Sequence, residues 1–325
     1  MAKQKIYPFA VASIRAMENS LFTKQKMLQM ADAKNMEDAM RIFSDSAYGK
    51  HTVKDYHDFG EMIHAHLEEI YQGISGIIPG EALIDIFLYK NDFHNIKILL
   101  KEEVSEVSGK NLLSRSGTVP IDHLQKSIRE RNYIGLSHID GQAVEEAVAM
   151  YAKTKDGRHI DIILDKAYLG AVSKAAKEMG HLYLIRYVEL VADIHNLKMA
   201  LRIKNSRRSI ELFEEAVLPG GGLSKNELLR AFRSESLVSG FRDTPYGEFC
   251  EKYMDLGFTA FEKACDDYLM NYIKDAKYKT MTIEPIMGFI LAKQMEAISL
   301  RIILTCKLHD VAPEVIRERV REAYV

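Results

Sequence analysis

The chain has 325 residues, 47% hydrophobic and 28% charged, enough apolar material for two or three globular domains with buried cores. Forty-four basic side chains against 46 acidic ones leave a formal net charge of −2, which argues against a nucleic-acid binder held mainly by phosphate neutralisation. Three scattered cysteines, Cys250, Cys265 and Cys306, are too few for a disulfide framework or a zinc knuckle and read as reduced thiols in helical packing.

Only seven prolines occur, helix formers dominate most windows, and apolar residues recur at spacings of three and four. The expected fold class is therefore all-α. In chain order, the opening "MAKQKIYPFAVAS" begins basic but breaks at Pro8 and meets Arg15 and Glu18, unlike a signal peptide. Next, "EMIHAHLEEI" (61–70) sets His64 and Glu68 four residues apart, with Glu61 three before His64. A metal would need further ligands, and no H-E-x-x-H or paired-cysteine pattern supplies them, so solvated or capping roles are expected. The stretch "ISGIIPGEALIDIFLY" comes nearest to a membrane span, and Glu81 and Asp85 interrupt it. The expectation is a soluble cytoplasmic chain without a membrane span, able to sit on a membrane protein.

A hexapeptide then begins to recur. "DFHNIK" starts at Asp92, "DIHNLK" at Asp193 and the degraded "EAISLR" at Glu296, at intervals of 101 and 103 residues. In the first copy Phe93, Ile96, Leu100 and Val104 form one helical stripe. The second has Ile194, Leu197 and Leu201 before polar Asn205; the third has Ala297, Leu300, Leu304 and Leu308. Polar slots repeat as well: a carboxylate (Asp92, Asp193, Glu296), a small hydrogen-bonding residue (Asn95, Asn196, Ser299) and a cation (Lys97, Lys198, Arg301). Carboxylate and amide share one shoulder of the helix while the cation lies on the other, so each needs a partner on another segment or water. His94 and His195 also repeat, but Ile298 fills the third slot, which removes a three-fold metal or catalytic role.

Break signals at 75–80, 114–120, 155–159, 218–225, 241–247 and 282–288 punctuate the helices. Those near 114 and 218 divide the chain into thirds, 1–113, 114–217 and 218–325, matching the repeat interval. "DSAYG" at Asp45 and "DTPYG" at Asp243 share the form D-[ST]-x-Y-G, which the middle third lacks. "SGTVPIDHL" (116–124) and "GGLSKNELL" (221–229) each place a turn and a fresh helix after the repeated phrase. Together these echoes point to an internal triplication.

Catalytic signatures are missing. "PGGGLSK" lacks P-loop spacing and reads as an inter-repeat hinge, and there is no nucleophile elbow or dinucleotide fingerprint. The chain reads as a non-enzyme without cofactor or resident metal. Arg202, Lys204, Arg207 and Arg208 close the second repeated helix. They are either solvated cations favoured by the helix dipole or a docking patch for an acidic partner loop. The last helix, "PEVIRERVREAYV", packs an edge of Val315, Ile316 and Val320.

The D-x-H-N-[LI]-K phrase, the D-[ST]-x-Y-G turns, the opening "YPFAVASIRAMENSLF" and the closing "VIRERVREAYV" resemble the C subunit of bacterial and archaeal V/A-type ATPases, equivalent to the d subunit of the eukaryotic vacuolar pump. The resemblance covers essentially the whole chain. It implies three similar helical bundles around a pseudo-three-fold axis, forming a funnel on the cytoplasmic face of the membrane rotor ring of proteolipid subunits. The funnel would receive the central-shaft subunits and transmit torque between ATP chemistry and proton or sodium transport, with no catalysis of its own. The third copy departs from the family phrase at Ile298 and Ser299, which predicts different anchoring there. A general α-helical scaffold for another complex is the alternative that the triplication alone would equally support.

Overall fold

The computed structural model describes residues 7–51, 55–78, 83–105 and 112–325. The basic start at 1–6, the Pro79–Gly80 break and Glu81 lie outside the described residues. Every regular element among the described residues is helical. The first four helices are α1 (Pro8–Glu18), α2 (Lys24–Asp32), α3 (Met36–Ser44) and α4 (Phe59–Ile77). Then come α5 (Leu83–Ser105), α6 (Ile121–Glu130), α7 (Gly141–Thr154) and α8 (Arg158–Met179). They are followed by α9 (Leu182–Asn205), α10 (Ile210–Ala216), α11 (Lys225–Arg233) and α12 (Leu237–Phe241). The last four are α13 (Gly247–Tyr253), α14 (Phe258–Lys274), α15 (Glu284–Leu308) and α16 (Pro313–Arg319).

Local chemistry accounts for many of these boundaries. Thr23, Asn35, Asp140 and Ser224 each accept a first-turn N–H as N-caps of α2, α3, α7 and α11, and Ser224 forms a reciprocal capping box with Glu227. Helix α8 ends at Gly180 in the left-handed region, φ 72°. Two long helices end alike: Arg207 after α9 and Asp310 after α15 are left-handed, and Arg208 and Val311 return N–H bonds to the Ile203 and Cys306 carbonyls. Each left-handed residue lies fourteen positions beyond its repeated carboxylate, Asp193 or Glu296.

The chain divides into two compact units, Ala82–Cys250 and a split unit of Met1–Glu81 with Glu251–Val325. In the continuous unit α8 packs against α5, α7 and α9, and α6 lies on α5. Its core joins Phe93, Ile96 and Leu100 of α5 to Leu124, Val144, Ile160 and Leu164. In the split unit α15 contacts α1, α2, α3, α4, α14 and α16. Its core joins Leu300, Ile303 and Leu304 to Met27, Phe43, Met62 and Ile316. Each such side chain contributes on the order of 1.5–3 kcal/mol by leaving water. Helix α15 is buried over most of its surface, from Pro285 to Lys307. Its polar Lys293, Glu296 and Ser299 lie in the buried part, so the two charged groups must find partners inside.

All three apolar stripes are buried from the first slot through the third: Phe93, Ile96 and Leu100; Ile194, Leu197 and Leu201; Ala297, Leu300 and Leu304. Cys250, Cys265 and Cys306 are buried and form no disulfide, and burial raises the Cys250 thiol to about 12.

Candidate functional site

The repeated carboxylates each hold the turn that precedes another helix. On α5, Asp92 is fully buried and accepts the backbone N–H groups of Thr118 at 3.2 Å and Val119 at 3.1 Å. It also accepts the Thr118 hydroxyl at 2.6 Å, and His138 Nε2 lies 2.9 Å away. One turn on, the Asn95 amide donates to the Ser114 carbonyl and accepts the Ser114 N–H, both at 2.8 Å. The loop 114–119 is thereby fastened to α5 just before α6 begins, by charge-assisted bonds and a doubly paired peptide. Its approach is close: a Cβ on Gly117 would sit 2.2 Å from Asp92 Oδ1.

Helix α9 repeats the arrangement. Asp193 accepts N–H groups from Gly222 at 2.9 Å and Leu223 at 3.0 Å, and the Tyr246 hydroxyl at 2.7 Å. Asn196 pairs both polar groups of Leu218, at 2.9 and 2.8 Å. A Cβ on Gly221 would meet Asp193 Oδ1 at 2.1 Å. The glycine-rich stretch expected to be a hinge is thus a loop pinned at two points, because its small residues serve close approach to α9.

On α15 the carboxylate belongs to Glu296, which accepts the Phe22 N–H at 2.6 Å and the Tyr48 hydroxyl at 2.8 Å. Lys293, fully buried one turn earlier, donates to it at 2.8 Å. Burial first, and the Glu296 charge second, push the Tyr48 phenol well above its ordinary value, so it stays a donor. Ser299, in the amide slot, has a buried hydroxyl without a hydrogen-bond partner. Different anchoring of the third copy, expected from its sequence, takes this form.

The gripped loops correspond residue by residue. Val119, Leu223 and Phe22 present equivalent N–H groups, and Pro120, Ser224 and Thr23 follow as the N-caps of α6, α11 and α2. Helices α5 and α9 hold the loops that lead into α6 and α11, and α15 holds the loop between α1 and α2. Cuts at 113/114 and 217/218 fall between a repeated helix and the loop it grips. Tyr246 and Tyr48 of the two D-[ST]-x-Y-G turns reach the second and third carboxylates, while His138, stacked on Tyr89 with ring centroids 4.1 Å apart, faces the first. Sequence reasoning missed Phe22 and its loop, although "LFTKQKML" (21–28) echoes "GLSKNELL" (222–229).

One member of the basic cluster is committed inside the fold. Lys204 donates to the Phe232 and Ser234 carbonyls at 2.7 and 3.0 Å, closing the C-terminus of α11. Lys307 does the same for α2 through the Ala33 carbonyl at 2.6 Å. The Lys204 ammonium therefore caps a helix and leaves the candidate docking patch. Arg202, Arg207 and Arg208 are exposed. Lys97 pairs with Asp165 of α8 at 2.5 Å, Lys198 is half-buried and Arg301 is exposed. Burial lowers the His195 imidazole, with the Lys198, Arg202 and Lys97 cations acting in the same direction. His94 Nε2 lies 3.0 Å from the Leu112 carbonyl.

The family described as ATP synthase (C/AC39) subunit matches residues 10–319, nearly the whole chain and all three anchors. The chain belongs to this family. The C subunit of the A-type ATP synthase of Methanocaldococcus jannaschii is 27% identical over 341 residues, covering 96% of this chain and 85% of the relative. The C subunit of the V-type sodium ATPase of Enterococcus hirae is 22% identical, with 96% and 97% covered. The corresponding A-type ATP synthase protein of Pyrococcus abyssi is 23% identical across 97% of this chain and 90% of the relative. Both A-type and V-type members thus align along nearly the full length of this C/AC39 chain. No helix among the described residues is long and apolar enough to cross a membrane.

Proposed function

We propose that this C/AC39 family member is the non-catalytic central-stalk component of a V/A-type ATPase, coupling the central-shaft subunits to the membrane rotor ring. The observation that carries the reading is the family match over residues 10–319, together with relatives named as C subunits of such complexes and aligned along nearly their full length. The reading includes a peripheral position on the cytoplasmic face and no active site in this chain. It includes an internal triplication too, with three helical units arranged as a funnel. Equivalent bonds from Asp92, Asp193 and Glu296 to three loops that each precede a helix support the triplication.

Torque transmission calls for stiffness, and the anchors supply it in a specific way. A loop held by a buried carboxylate cannot slide along its helix without leaving that charge unpaired, a large local penalty. Fastening a loop to one helix lets load entering that helix pass through fixed backbone into the helix the loop precedes. We assign the exposed Arg207 and Arg208 to a partner interface, where charge would set register and association rate.

The test is capture by tagged full-length chain of purified shaft subunits and of the detergent-solubilised rotor ring. Capture of both is expected, weakened by Arg207→Glu with Arg208→Glu while helical content holds. Capture of neither by a well-folded chain would overturn the adaptor role in favour of a scaffold for another complex.

A further inference from the structure

In the split unit, the 3₁₀ turn Ala47–Lys50 that carries Tyr48 leads into His51, which converges with His66 and Glu69 of α4. His66 of α4 is 2% exposed, and neither of its ring nitrogens has a hydrogen-bond partner. A buried imidazole with both nitrogens unsatisfied is costly and calls for an explanation. Its Nδ1 lies 3.6 Å from Glu69 Oε2, too far for a hydrogen bond, and His51 Nε2 lies 3.3 Å from the same oxygen. The three ligand atoms all fall within 4.8 Å of one another.

The 3.3 Å contact is a His51–Glu69 hydrogen bond, but His66 has none, and the separations of the group also suit a metal. Zinc held tetrahedrally at about 2.0–2.1 Å places its ligand atoms roughly 3.3–3.4 Å apart. Two edges of such a figure, 3.3 and 3.6 Å, are already present. Both ring nitrogens of His66 are without a hydrogen-bond partner, so a ring lone pair is available to an ion. Glu69 keeps its other oxygen on Lys50 at 3.1 Å, which orients the carboxylate. Lys50 and Lys293 are the cations facing the group, and Lys293 is neutralised by Glu296 at 2.8 Å. Two imidazoles and one carboxylate select zinc over magnesium or calcium, which take all-oxygen shells.

We propose that His51, His66 and Glu69 bind one Zn2+ ion, water completing the tetrahedron, and that the ion clamps the Tyr48 turn to α4. The histidine and carboxylate that sequence spacing suggests, His64 and Glu68, are not part of it. Because Tyr48 also donates to Glu296, an occupied clamp stiffens the third loop anchor from its outer side.

The test is a zinc titration of chelator-stripped full-length chain against a competing chromophoric chelator, with cobalt as a spectroscopic stand-in. One saturable equivalent is expected, with the visible absorption of tetrahedral cobalt. His51→Ala and Glu69→Gln, both at partly exposed positions, should each weaken binding at least about tenfold without changing helical content. His64→Ala and Glu68→Gln should leave it unchanged. Absence of saturable binding, indifference to His51→Ala and Glu69→Gln, or loss on His64→Ala would each overturn the site. His66→Ala is not used alone, since removing a buried ring can unfold the helix whether or not a metal binds.

Discussion

The continuous unit and the split unit solve one problem with different parts. In the continuous unit, Asp92 and Asp193 hold loops only 26–30 residues away, each under a glycine and each seconded by an asparagine. In the split unit, Glu296 holds Phe22 across a separation of 274 residues, with no glycine at the corresponding Ser20 and no amide at Ser299. A tenfold longer closure costs about 2 kcal/mol more in chain entropy if the segment between is flexible. The split unit offsets this with Lys293, buried beside the carboxylate, and with a core that spans both chain ends. Glutamate's extra methylene reaches a loop that need not press against the helix, which explains why Ser20 is tolerated where Gly117 and Gly221 are needed. The carboxylate is the part of the anchor common to both units, and the amide is the part that can be lost.

The largest effect should come from the charge. Glu296→Ala strands Lys293 without its partner and should cost about 3–5 kcal/mol, measured by urea denaturation. Glu296→Leu combined with Lys293→Met should recover most of that loss, and failure to recover would show that the pair's hydrogen bonds to Phe22 and Tyr48 matter more than its charge. Glycine comes next. Gly221→Ala forces a methyl group into Asp193 and should cost about 1–3 kcal/mol, whereas Ser20→Ala should stay within about 0.5 kcal/mol. Equal costs would break the proposed division between tight and relaxed loops.

The amide slots give a similar contrast. Asn196→Leu leaves both polar groups of Leu218 unpaired and should cost about 1–3 kcal/mol, while Ser299→Ala removes an unsatisfied hydroxyl and should be neutral or mildly stabilising. A smaller loss than those at Glu296, Gly221 and Asn196 concerns Tyr48. Above pH 10 the unfolded chain releases this phenol's proton while the folded chain retains it, so stability falls as pH rises. Tyr48→Phe should cost about 1 kcal/mol at neutral pH and flatten that alkaline decline. An unchanged slope would mean that Tyr48 ionises freely.

The all-helical fold and the three buried stripes were legible because apolar spacing is a local property, readable from Phe93–Ile96–Leu100 as it stands. The polar slots were legible as demands but not as answers. An i,i+5 carboxylate and cation cannot satisfy each other, yet nothing near Glu296 in the chain names Phe22 as its partner. The match between residues 21–28 and 222–229 held that information, weakened by Phe22 standing for Leu223 and Thr23 for Ser224. Lys204 escapes sequence reasoning because a lysine capping carbonyls 28 and 30 residues away looks like any member of a basic run. In "EMIHAHLEEI" the i,i+4 pair His64 and Glu68 stands out by spacing, while the group that converges is His66, Glu69 and, from outside the helix, His51.

One carboxylate anchor occurs three times in this fold, the third joining Glu296 to Phe22. Amide hydrogen exchange on the full-length protein tests it most directly, at Val119, Leu223 and Phe22. Comparable protection at all three is expected, with protection at Phe22 lost selectively in Glu296→Gln and protection at Leu223 lost selectively in Asp193→Asn. Rapid exchange at Phe22 beside slow exchange at Val119 and Leu223 would contradict the claim and leave the chain with two anchors and an open end.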